Sequence, residues 1–167
     1  ANVPNLLSIP YIGYDYDEEV YANTKKFILS VDNPTFHRGG FNHVKIEGLG
    51  SPHTMEGWGS PNAKKIANGI WPMGMIMEGL VSDDINKKID IVEKLLQSSA
   101  GKNQMHEAFN ADNPSEYSRE WFCWADSLFA ELVMSLSDGC PEIYGTYPYM
   151  MDKLFSNEKF TPFLAKP

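Results

Sequence analysis

Residues Trp71 to Leu96 read WPMGMIMEGLVSDDINKKIDIVEKLL, and this stretch sets the expected fold class. Pro72 suits the first position of a helix, where its missing N–H has no intrahelical partner to lose. Met73, Ile76, Met77 and Leu80 then share one face at helical spacing. Ser82 is placed to cap a second helix, with Asp83 and Asp84 in a first turn where the macrodipole favours negative charge. Ile85, Ile89, Val92, Leu95 and Leu96 form that helix's apolar stripe, and Gly101 offers a stop. Downstream, Lys102 to Tyr117 (KNQMHEAFNADNPSEY) reads as a loop. Ser118 is expected to cap a helix running to about Leu136, with Trp121, Trp124, Ala125, Leu128, Phe129, Leu132 and Val133 along it. Upstream, Asp17 to Ser30 is helical, with Val20, Thr24, Phe27, Ile28 and Val31 on one face, and Asn33-Pro34 ends it. Residues 33–69 read as one long loop rich in Gly, Pro, Asn and His, of the kind that is usually functional when it sits in a compact domain. Residues 1–14 read as an ordered loop with a helical turn at Leu6 and Leu7, and the last thirty or so as a packed tail with a short helix near Met150 to Phe155. Four helices and no strand give an all-α expectation, as an antiparallel bundle or a helical barrel.

The 167 residues are 43% hydrophobic and 13% aromatic, enough apolar surface for a core and for one domain or part of one. The net charge of −8 argues against nucleic acid, whose phosphates an acidic chain repels, and no basic cluster suits an anionic membrane surface. Acidity fits a neutral polyhydroxylated ligand, and the four Trp, eight Tyr and nine Phe fit either core packing or stacking against the C–H face of a sugar ring. The two cysteines, Cys123 and Cys140, make neither a disulfide framework nor a CxxC zinc motif. There is no signal-peptide pattern and no apolar run of membrane-spanning length, and no compartment is assigned. The chain opens at Ala1 without Met, which suggests a piece of a longer or processed polypeptide.

Three places hold candidate chemistry. Met105-His106-Glu107-Ala108-Phe109 sets a carboxylate between aromatics in a loop flanked by helices. Inverting glycoside hydrolysis needs such a carboxylate to activate water, and a separate carboxylic acid to protonate the leaving oxygen. An ordinary solvated Glu would look the same in sequence. Ser118-Arg119-Glu120-Trp121-Phe122-Cys123-Trp124 puts Glu120 among bulky apolar neighbours, where Arg119 can pair with a carboxylate; a first-turn Glu serving the helix dipole reads alike. Gly48 to Thr54 (GLGSPHT) combines glycines that permit close ligand approach with His53 and Thr54 as hydrogen-bonding groups. No GK[ST] follows it, so it is no P-loop. The four histidines match no zinc spacing, and no GxSxG elbow occurs. No metal and no cofactor are therefore expected.

At these residues the chain resembles glycoside hydrolase family 125, the exo-acting α-1,6-mannosidases. The resemblance rests on ANVPNLLSIPYIGY (1–14), GLGSPHT (48–54), IWPMGMIMEGL (70–80) and MHEAFNADNPSEYSREWFCWADSLFAELV (105–133), in that order. It covers residues 1–136, read as the C-terminal portion of the catalytic domain, while 137–167 form an extension that matches nothing. The resemblance implies an (α/α)6 barrel and metal-independent release of terminal mannose, with inversion, from a mannose-containing oligosaccharide or N-glycan fragment. It makes Glu107 the general base. His53, Thr54, Trp71 and His106 would line the mannose pocket, Asn2 would reach it, and Glu120 would be a sugar or water ligand and the second choice for the base. The family's general acid lies upstream of the ANVP segment, so the missing N-terminal part of the same barrel is an expected partner and this chain alone is expected to be inactive. FNHVKIE (41–47) and EGWGSPNAKKIANG (56–69) stand where a shorter link is expected, which touches the aglycone side of the pocket. The rival expectation is a helical protein that binds carbohydrate without cutting it.

Overall fold

The computed structural model describes residues 5–50 and 66–138. Within them run a 3-10 turn (Leu6–Ser8), α1 (Glu18–Ile28), β1 (Phe36–Phe41), β2 (Val44–Leu49), β3 (Gly69–Ile70), α2 (Pro72–Leu80), α3 (Ile85–Ser98), β4 (Ala108–Asn110), β5 (Tyr117–Ser118) and α4 (Cys123–Asp138). The all-α expectation is therefore wrong. Two antiparallel sheets accompany the four helices of the described residues: a hairpin β1–β2, and a three-stranded sheet in the order β3-β4-β5. The barrel drops out with it. The expected helix at Met150 to Phe155 lies outside the described residues.

The hairpin occupies what the sequence suggests is loop. Its register runs from Phe36 opposite Leu49 to Phe41 opposite Val44. Asn42 and His43 make the two-residue turn, with φ of +48° and +66°. Two consecutive left-handed residues are the mark of a type I′ turn, whose twist matches that of the strands it joins. Gly39 lets the hairpin lie against the second sheet: a Cβ there would stand 2.6 Å from the Ala111 carbonyl carbon. Asp112 fixes the contact, accepting from Gly40 N–H (3.1 Å) and Asn68 Nδ2 (2.9 Å).

The helices follow the sequence more closely. Asp17 caps α1 by accepting from Val20 N–H (2.9 Å), with Glu18 and Glu19 in its first turn and Lys25 and Lys26 in its last, matching the dipole at both ends. Pro72 does open α2, which is buried on nearly every side. Asp84, rather than Ser82, caps α3, accepting from Asn86 and Lys87 N–H. The last helix starts at Cys123 and not beside Ser118, which belongs to β5. The core joins Met73, Met75 and Ile76 of α2, Ile91, Val92 and Leu95 of α3, and Ala125, Leu132 and Leu136 of α4 to Ile46, Ile70 and Phe109 of the sheets.

Candidate active site

Glu107 stands one residue ahead of β4, beside the point where β5 ends and the chain turns toward α4. Its N–H is shared by the carbonyls of Ser118 (3.3 Å) and Arg119 (3.4 Å). Its side chain is 23% exposed, and Arg119 Nε lies 3.2 Å from Oε2. Ser118 Oγ donates to the same oxygen across a long 3.4 Å. The residues around it are pinned: Met105 N–H donates to Asp126 Oδ1 in the first turn of α4 (2.7 Å), and Phe122 N–H donates to the Met105 carbonyl (3.0 Å).

The carboxylate opens on a cleft of about 510 Å³, walled by Trp71, Met73, Arg119, Trp121, Phe122 and Trp124 among others. Trp71 enters from the chain between β3 and α2, its backbone N–H donating to the Leu49 carbonyl at 2.7 Å. Its indole Nε1 is buried with no hydrogen-bond partner among the described residues. Met73 and Trp124 also border a second, apolar cavity of about 460 Å³ that runs toward Tyr11 and Ile12.

The expected site residues divide accordingly. Trp71 and Glu107 share the cleft. His106 does not reach it. It is 1% exposed, its ring stacks on Tyr117 (centroids 3.8 Å apart, planes 7° apart), and both ring nitrogens face backbone carbonyls. Nδ1 is 2.6 Å from the Glu120 carbonyl and Nε2 is 3.3 Å from that of Ser99. The Nδ1 contact is the shorter of the two. The Glu120 carboxylate is exposed, pairs with Lys102 Nζ at 3.2 Å, and is not on the cleft wall; that pairing raises the Lys102 pKa through its hydrogen bond and then its charge. Asn2, His53 and Thr54 lie outside the described residues.

The sequence reading missed the parts of Trp121 and Trp124, which it placed along a helix, and of Phe122, to which it gave no role. The signal was there: adjacent aromatics cannot all point into one core. No group of three or more His, Cys, Asp or Glu is placed to hold a metal among the described residues.

Comparison with known proteins gives the chain its setting. The family model described as metal-independent α-mannosidase, glycoside hydrolase family 125, matches residues 1–134. A curated relative, the meiotically up-regulated gene 157 protein of Schizosaccharomyces pombe, is 39% identical over 145 residues, which is 86% of this chain and 26% of that protein. A Streptococcus pneumoniae metal-independent α-mannosidase, solved as a non-productive complex with α-1,6-mannobiose, is similar at a TM-score of 0.70 and 39% identity, over 82% of this chain and 29% of the other. The chain thus spans between a quarter and a third of the length of these relatives.

Proposed function

The chain belongs to glycoside hydrolase family 125, the metal-independent α-mannosidases, and from that premise we propose that it supplies the general base and part of the sugar pocket of an inverting exo-α-1,6-mannosidase. The observation that carries the reading is the half-buried Glu107 carboxylate, held on one oxygen by Arg119 and Ser118 and facing an aromatic-walled cleft.

The chemistry follows from that geometry. Both contacts fall on Oε2, which leaves Oε1 for a water molecule. As the water oxygen bonds to the anomeric carbon, Glu107 takes its proton. The glycosidic bond breaks on the opposite face, and a carboxylic acid from the upstream part of the catalytic domain protonates the departing oxygen. Attack opposite the leaving group turns an α-mannoside into β-mannose. The two carboxyl groups should stand roughly 6.5–9.5 Å apart to leave space for the water. The aromatic walls of the cleft, Trp71 among them, would take the apolar face of the mannose ring. Asn2, His53 and Thr54 remain proposed pocket residues. His106 and Glu120 are better suited to holding the backbone and the surface around Glu107 than to touching sugar.

The test is kinetic, on the polypeptide that carries this chain, with α-1,6-mannobiose as substrate. Glu107→Gln should lose turnover while still binding the disaccharide. Binding without release by the wild type would instead make this a carbohydrate-binding protein.

A further inference from the structure

Ser118 and Arg119 are neighbours in sequence, yet both side chains reach Oε2 of Glu107. In a regular strand they could not, because successive side chains point to opposite faces. The backbone at Arg119 resolves the conflict: its φ is +41°, in the left-handed region. Of the other described non-glycine residues with positive φ, Asn42, His43, Asn68 and Asn103 are of types that enter this region readily, and Ala100 follows the end of a helix. Arg119 is the long, charged exception, and it sits at the cleft.

We propose that Arg119 is the positioning residue of Glu107, its left-handed kink folding the guanidinium back to fix the carboxylate; this rests on the reading of Glu107 as the base. Arg119 grips Glu107 at both ends. Its carbonyl accepts from the Glu107 N–H, and its Nε stands 3.2 Å from Oε2 of the carboxylate. Its Cζ lies 5.7 Å from the centroid of the Phe122 ring, so the guanidinium is held between an aromatic and an anion. The kink is locked one residue on, where the Glu120 carbonyl takes His106 Nδ1. The consequence for catalysis is one of aim: with Oε2 fixed, Oε1 is presented to the water in one orientation, and small misplacements of a reacting group cost large factors in rate. On this proposal the guanidinium acts through the base, so its loss should appear in kcat more than in KM.

Arg119→Gly is the informative variant, because glycine accepts the left-handed angle while the guanidinium is lost. In the polypeptide that carries this chain, acting on α-1,6-mannobiose, kcat should fall on the order of tenfold to a hundredfold. KM should change by less than about threefold, and added guanidinium salt at millimolar concentration should restore part of kcat. Arg119→Lys, which puts a methylene where arginine has Nε, should fall between the two. If the glycine variant does not fold, Arg119→Gln, judged by the same kcat and KM criteria, takes its place. A raised KM with unchanged kcat would make Arg119 a sugar ligand and overturn the proposal, as would wild-type values for both. Glu107→Gln, run beside it, separates the two ideas. An inactive Glu107→Gln with a fully active Arg119→Gly sinks only the role of Arg119. A fully active Glu107→Gln sinks the base, and the role of Arg119 with it.

Discussion

Glu107 and His106 show what one position along the chain does. The chain bends at Glu107 just before β4, and the two neighbouring side chains part there, the carboxylate opening on the cleft and the imidazole lying buried. The sequence signalled a chemical hot spot in MHEAF but could not say which of its two polar side chains faced out. His106 went to the core, against Tyr117 and two carbonyls. His106→Ala should therefore act on stability. Losing the part-buried hydrogen bond to the Glu120 carbonyl costs about 0.5–1.5 kcal/mol, and losing the stack about 0.5–1.5 kcal/mol more. Urea unfolding of the polypeptide that carries this chain should show a loss in that range with KM nearly unchanged. A raised KM at full stability would mean that His106 binds sugar after all. The link between Arg119 and Glu107 was less legible still, because it hangs on a left-handed angle at a residue type that rarely adopts one.

The helices were readable because three of them carry a periodic apolar stripe or a cap residue at the right place, as Asp17 and Pro72 illustrate. The strands were not, for two physical reasons. β3 and β5 have two residues and β4 has three, too few for a period of two to register. In the hairpin, Gly39, Gly40 and Gly48 remove the side chains whose alternation would have revealed it, although Asn42 in the turn was a usable cue. The hairpin also carries a pH dependence. Burial holds the His37 imidazole below its ordinary value, partly offset by a hydrogen bond with the Asn68 side chain, and its Nε2 is buried with no partner among the described residues. A lowered folded value means that the fold prefers the neutral ring. That preference is fully satisfied above the unfolded value near 6.5 and is lost as pH falls from there through the folded value. Between about pH 7 and pH 5, then, the wild type should lose more unfolding free energy than a His37→Gln variant. Equal losses in the two proteins would remove His37 as the cause.

At the scale of the molecule, the described part leaves an apolar surface uncovered. Val20 is 63% exposed, Phe27 53% and Val31 62%. Val20 and Phe27 lie on the face of α1 that the periodicity groups with Ile28, and of these three only Ile28 is covered by the described residues. Large exposed apolar patches mark surfaces that meet something else. The remainder of the catalytic domain is the proposed occupant, since it would also bring the general acid. This chain by itself is accordingly expected to release no mannose from α-1,6-mannobiose, while a polypeptide that also carries the upstream part does. Equal rates from the two would put the acid within this chain.

The role of Glu107 is tested most directly by following the anomeric proton signals of mannose as it is released from α-1,6-mannobiose, for the wild-type polypeptide and for Glu107→Gln. The wild type should give β-mannose first, with α-mannose appearing later by mutarotation. Glu107→Gln should bind the disaccharide and turn over about 10²- to 10⁴-fold more slowly, the usual worth of a general base. α-Mannose as the first product, or a Glu107→Gln variant that keeps the wild-type rate, would contradict the mechanism proposed for this cleft.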